Sequence, residues 1–248
     1  MKKRRLSILL VLALVLQLLP LPAGTWLGVF PTASTSRAAA VASGKDGNIS
    51  WSLAQEESGY KLTLTGTGKM EEYSSKNYSD DPRSTDYRTS APWGSYASKI
   101  KTVSVGEGIT DISACAFYRC TALSSVTIPS TVTEIGNHAF YRCVMKTVSL
   151  PSGLNRIGSS AFSECTTLTE ITLPDKITTI EYGVFNGCYG LKNITLPVGL
   201  KSIGDSAFSG CGNLEGITLP SGLNSIGKSA FQSTFKDAGI DTVTIPDT

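Results

Sequence analysis

The 248-residue chain has one histidine, three methionines and three tryptophans, and only 17% of its residues are charged. With His138 as its single imidazole, it offers little for catalysis by a base set between a nucleophile and an orienting acid. No cysteine precedes Cys115, which excludes a lipid-carrying cysteine at the N-terminus. Zinc sites pair their ligands at short spacings such as C-x-x-C, and the chain has no C-x-x-C. The D-x-[DN]-x-[DN]-G spacing of calcium loops is missing too, so Asp80, Asp81 and Asp86, which lie among Tyr73, Tyr78 and Tyr87, read as a solvated loop suited to recognition. No cofactor is expected.

Acidic residues are missing from residues 1–42, which hold Lys2, Lys3, Arg4, Arg5 and Arg37. Setting those five aside leaves 17 Lys+Arg against 20 Asp+Glu, so the formal charge of +2 hides a body of about −3. Such a body has no electrostatic reason to seek phosphate backbones, and nucleic acid is excluded as a partner. The same N-terminal stretch follows its bases with an apolar run from Leu6 to Leu21, broken only by Ser7, Gln17 and Pro20. Small-residue sites come next at Ala38-Ala39-Ala40 and Ala40-Val41-Ala42. Residues 1–42 therefore read as a cleaved signal peptide, and the protein as secreted or held at the cell surface. An uncleaved anchor would need the run to continue through Trp26 to Phe30, across Pro20, Pro22 and Gly24. No second hydrophobic span follows, so no membrane span is expected after cleavage.

What the sequence has in quantity is repetition. The string Ile-x-x-x-Ala-Phe-x-x-Cys recurs around Phe117, Phe140, Phe162, Phe185, Phe208 and Phe231, at spacings of 23, 22, 23, 23 and 23. Between these landmarks runs an apolar–hydroxyl–apolar signal followed by proline, as in Val126-Thr127-Ile128-Pro129 and Ile171-Thr172-Leu173-Pro174. Counting Val103-Ser104-Val105 and Val243-Thr244-Ile245, there are seven such strand signals. One unit of about 23 residues cannot bury its own apolar face, so the units are expected to stack around a shared core of Phe, Leu and branched residues. The predicted fold is a β-rich repeat solenoid of the α/β type, with seven short parallel strands in one sheet. Its returns along Ile-Gly-x-x-Ala-Phe are read as tight or short helical turns, with the glycine supplying unusual dihedrals and the alanine close approach.

The pattern Leu-x-x-Val-x-Ile-Pro-x-x-Val-x-x-Ile-Gly-x-x-Ala-Phe-x-x-Cys resembles the BspA-type leucine-rich repeat of bacterial surface proteins, over about Val103 to Pro246. The resemblance implies a right-handed leucine-rich-repeat superhelix and adhesion to host proteins, host cells or other microbes. The chain departs from the pattern at Tyr182-Gly183-Val184, at Cys143-Val144-Met145, which is one residue short, and at Thr234, which replaces the cysteine. Residues 43–99 resemble the flank that often precedes these repeats, with strands at Ile49–Leu53 and Tyr60–Gly68, and are read as an N-terminal β cap. Residues 100–248 form the solenoid of about six repeats. Its last strand signal is followed only by Pro246, Asp247 and Thr248, so self-association through the C-terminal coil is expected.

Cys120, Cys143, Cys165, Cys188 and Cys211 each stand three residues after a landmark Phe. An exported protein can use such thiols as a disulfide framework. Stacked parallel Cβ vectors are not the usual geometry of a bridge, however, and these thiols read as small buried apolar groups. Cys115, at a variable turn position, reads as the reactive one.

Two surfaces are candidates for binding. Tyr118-Arg119 and Tyr141-Arg142 recur in adjacent repeats and would stack into a Tyr/Arg patch of the residue types common at hot spots. The exposed strand positions form a polar face that includes Thr127, Ser149, Glu170, Thr172, Asn193 and Thr195. The patch is set slightly ahead of the face. The expected function is recognition of extracellular protein or glycan ligands, without catalysis. An alternative makes the chain the non-catalytic targeting or scaffold part of a larger exported enzyme such as a hydrolase.

Overall fold

The computed structural model describes residues 40–77 and 86–235, with the side chain of Asn77 set aside. The expected signal sequence up to residue 39, Asp80, Asp81, and the strand signal Val243-Thr244-Ile245 lie outside the described residues. The chain begins as an antiparallel sheet of β1 (Ala40–Asp46), β2 (Ile49–Glu56) and β3 (Gly59–Gly66). A polar two-residue turn at Glu57-Ser58 joins β2 to β3, so Ile49 faces Gly66 and Glu56 faces Gly59. The period-2 pattern buries Leu53, Leu62 and Leu64. The sequence anticipates β2 and β3 but not β1, which starts at Ala40, within the stretch read as leader.

Short strands follow: β4 (Gly68–Lys69), β5 (Ser75–Asn77) and β6 (Tyr87–Thr89), then a 3-10 helix at Gly94–Lys99. The repeats hold β7 (Ile100–Val105), β8 (Ile109–Ile112), β9 (Ser125–Thr127), β10 (Glu134–Ile135) and β11 (Arg156–Ile157). They continue with β12 (Glu170–Thr172), β13 (Thr179–Ile180), β14 (Asn193–Thr195), β15 (Ser202–Ile203) and β16 (Ser225–Ile226).

The first parallel ladder uses the apolar–hydroxyl–apolar signals. β3 pairs with β7, which pairs with β9, and β12 pairs with β14, so that Thr172 faces Thr195. The expected single sheet of seven strands is corrected here. Pairing lapses between Thr127 and Thr147, and Thr147 makes only an isolated bridge to Glu170. The lapse falls where the Cys143–Met145 copy is one residue short, although Val144 N–H still donates to Leu123 O at 3.0 Å.

The returns follow the expected tight turns, over residues 114–119 and their equivalents, and not the helical alternative. Among the described residues the sole helical element is the 3-10 turn before the repeats, and each return begins instead with a short strand. These strands make a second parallel ladder, in the orders β11-β10-β8-β4 and β13-β15-β16. The glycine that follows Ile135, Ile157, Ile203 and Ile226 is there for close approach rather than for its dihedrals. A Cβ at Gly136 would lie 2.4 Å from Ala114 N, and one at Gly227 would lie 2.4 Å from Asp205 N. Left-handed backbone occurs elsewhere, two residues before and two after the landmark Phe. Cys115 and Arg119 flank Phe117 at φ 54°, and His138 and Arg142 flank Phe140 at 55° and 59°. That conformation costs about 1–2 kcal/mol per residue without glycine. It also aims Cys115, Phe117 and Arg119 N–H at Asn137, Ala139 and Tyr141 O in the next repeat, at 2.8, 2.8 and 2.7 Å.

The Phe rings form the centre. Phe117, Phe140, Phe162, Phe185 and Phe208 are fully buried, and neighbouring rings stack at 5.3–5.9 Å between centroids. Trp93 continues the column at one end, 6.1 Å from Phe117, with its indole N–H donated to Ala116 O at 2.9 Å. Phe231 and then Phe235, 6.2 Å apart, continue it at the other. Phe235 is buried, so the residues just past the last copy fold back over its Phe.

Candidate functional site

The five aligned thiols are free and buried, and Cys115 is free and half-buried. Their role goes beyond filling space. Cys165 Sγ donates to Phe140 O at 3.1 Å, Cys188 to Phe162 O at 3.0 Å and Cys211 to Phe185 O at 3.2 Å, each reaching back one repeat. Burial pushes Cys165 and Cys211 up to about 12, so they are inert as nucleophiles. Burial raises Cys115 as well. Among the described residues no group of three or more His, Cys, Asp or Glu could hold a metal ion.

The Tyr/Arg patch assembles, with two additions. Tyr118 and Tyr141 stack face to face, 4.9 Å between centroids and 13° between planes, because equal positions in adjacent repeats are brought into register. His138 tilts against both rings, at 6.3 and 5.9 Å. Burial lowers its pKa, so the imidazole is neutral at pH 7. The second addition is Glu164, which occupies the same repeat position as Arg119 and Arg142 one copy further on. It accepts from Tyr141 Oη at 3.0 Å and pairs with Arg142 at 2.6 Å. Burial first, and then the bond to Glu164, raises the Tyr141 pKa. Glu164 was legible as an opposite charge in the Arg119–Arg142 column. The cluster thus directs Arg142, Tyr141 and Glu164 toward one another.

The strand face is different. Thr127, Ser149, Glu170, Thr172, Asn193 and Thr195 are all exposed. Strand alternation holds their side chains outward while Ile171 and Leu173 point into the core. An open depression of about 640 Å³ lies on this face, walled by Ser149, Glu170, Thr172, Asn193 and Thr195 together with Thr147, Ser152 and Asp175. Thr127 is outside it. A second depression of about 400 Å³ adjoins at Asn193 and Thr195 and reaches Val198, Gly216 and Thr218. Sequence reasoning missed Ser152, Asp175 and Val198. Each directly follows the strand-ending proline, at Pro151, Pro174 and Pro197, and that column could have been read as a wall beside the hydroxyl column.

Comparison with known proteins finds leucine-rich-repeat relatives. A family model described as a BspA type leucine rich repeat region matches six copies, over residues 95–197 and 133–248. A leucine-rich repeat protein of Bacteroides ovatus is 25% identical in its solved structure, covering 81% of this chain and 58% of that one, with a TM-score of 0.57. A leucine rich repeat protein of T. pallidum is also 25% identical, covering 81% of this chain and 97% of that one, with a TM-score of 0.55. A leucine rich cell surface protein of Faecalibacterium prausnitzii is 25% identical, covering 79% of this chain and 53% of that one, again with a TM-score of 0.55. This chain therefore spans little more than half the length of two of these proteins. No curated protein matches it. Among the described residues no helix is long and apolar enough to cross a membrane.

Proposed function

Because the chain belongs to the BspA-type leucine-rich-repeat family, we propose that it is an exported, non-catalytic binding protein that engages protein or glycan ligands at or beyond the cell surface. The observation that carries this reading is the depression of about 640 Å³ on the strand face. Side chains of Ser149, Glu170, Thr172, Asn193 and Thr195 stand exposed in its wall and make no bond to another described side chain. A ligand meets hydroxyl, amide and carboxylate groups there without first breaking protein contacts. The Tyr/Arg cluster, in contrast, has Arg142 and Tyr141 engaged by Glu164. This reverses the sequence-based preference for the cluster.

On this reading the repeats wind as a right-handed solenoid, and the sheet β1–β3 caps its first unit by continuing the strand ladder outward from β7. The domain order is a leader over 1–42, a cap over 43–99 and repeats over 100–248. Cleavage after Ala42 leaves Ser43–Asp46 in β1. Export is supported by the basic, then apolar, N-terminus and by the likeness to the F. prausnitzii leucine rich cell surface protein. Adhesion to host or other cells is the use that fits such a surface. The test is capture: the purified protein is immobilised and offered matrix proteins and surface glycans. Saturable retention of one of them is expected, and none from the whole set overturns the reading.

A further inference from the structure

The two depressions on the strand face share Asn193 and Thr195, so they join into one groove running across the repeats. Its two halves differ in chemistry. The wall of the first contains Glu170 and Asp175 and no Lys, Arg or His. Neither carboxylate has a hydrogen bond or ion pair within the described residues. The second half is walled by Leu196, Ile217 and Val198, and Val198 is the most exposed large apolar side chain among the described residues, at 85%. Between the halves lie Thr172, Asn193 and Thr195, whose hydroxyls and amide can both donate and accept.

We propose that this groove takes an extended peptide segment of a partner protein, with a lysine or arginine against Glu170, in the field of Asp175, and an apolar side chain against Ile217. The inference rests on the strand-face reading above and names its ligand. Charge complementarity supplies the first contact, since unpaired carboxylates with no cation in the wall attract an ammonium or guanidinium. Spacing supplies the second. Two repeats separate β12 from the Gly216–Thr218 segment, about 10 Å at the usual spacing of neighbouring strands. Three residues of a polyproline-type chain cover about 9 Å and return the fourth side chain to the face of the first. A basic residue followed three positions later by an apolar one therefore meets both ends at once. Its backbone N–H and C=O groups face the hydroxyls and amide between. A glycan fits less well, because sugar rings are commonly held against aromatic faces and neither half of the groove has an aromatic in its wall.

The test uses the full purified chain and fluorescence anisotropy with three probes. One is a fluorescein-labelled proline-rich peptide carrying lysine and, three positions on, valine. The others are the same peptide with glutamate for lysine, and a labelled glucosamine oligomer. Saturable binding of the lysine peptide alone is expected. The double variant Glu170→Lys, Asp175→Lys should weaken it on the order of tenfold, with added salt weakening the wild-type complex. Both residues are exposed, and an unchanged melting curve shows that the variant folds. Equal binding by the double variant overturns the proposal, as does retention of the glucosamine oligomer in place of the peptide. If the wild type captures a matrix protein that the double variant captures equally well, the peptide groove is refuted while the binding-protein reading stands. If the wild type captures nothing, both fall.

Discussion

Thr234 donates its hydroxyl to the carbonyl oxygen of Phe208 at 2.7 Å, the bond that Cys143, Cys165, Cys188 and Cys211 make with their thiols to Phe117, Phe140, Phe162 and Phe185. The threonine that breaks the sequence pattern therefore keeps its physical function. What the position requires is a small side chain with a donor, buried and reaching back one repeat. Thiols and a hydroxyl both meet that requirement. Thr234→Cys should leave stability near wild type, while the isosteric Thr234→Val should cost about 1 kcal/mol, the net value of one such bond. Urea unfolding of the two variants checks this, and equal loss from both would mean that the donor is irrelevant.

The same burial makes the thiols slow. With Cys165 and Cys211 held at about 12, alkylation of the native protein at pH 8 should modify Cys115 first and the aligned five only after unfolding. The folded values lie above the unfolded one, so the protonated thiol favours the native state. That stability is present below the ordinary value of 9.0 and is lost as pH rises from there toward about 12. Replacing Cys165 and Cys211 by Thr should flatten the fall in melting temperature over that interval. An unchanged slope would place its cause in other groups.

Phe162 sits between Phe140 at 5.3 Å and Phe185 at 5.9 Å, with no exposed surface. Truncation to Ala should destabilise by about 3–5 kcal/mol, the usual cost of removing a buried aromatic. A melting curve like that of the wild type would show that the Phe column is not core.

Phe235 lies over Phe231 and among the described residues has one ring neighbour, where Phe162 has two. Phe235→Ala should uncover Phe231 and raise the fraction of dimer or larger species seen by light scattering. No change in mass across concentrations would mean that Phe235 does not guard that end.

Much of this was legible because one residue type at one spacing carried it. Phe117 to Phe231 gave the period, the strand signals gave parallel pairing, and Tyr118 and Tyr141 gave a stacked pair. What was missed depends on the neighbouring repeat rather than on the residue itself. Gly136 looked like a dihedral glycine until the 2.4 Å approach to Ala114 N was seen. The left-handed φ of Cys115 and Arg142 falls on residues with no intrinsic preference for it, held there by bonds to the next repeat. One break in the first ladder lies beside the copy that is one residue short, and that shortening shows in the sequence only as a spacing. The wall residues Ser152, Asp175 and Val198 share only their place after proline, so their side chains, unlike the hydroxyls, give no common signal.

Binding by the strand face is tested most directly by one comparison. Capture of matrix protein or glycan is measured for two variants of the purified chain with unchanged melting temperatures. One carries Glu170→Lys and Asn193→Lys on the exposed strand face, and the other replaces Tyr118, Arg119, Tyr141 and Arg142 with Ser. The account predicts that the first variant loses capture and the second retains it. Loss in the second with retention in the first would contradict it and move the binding surface to the Tyr/Arg cluster.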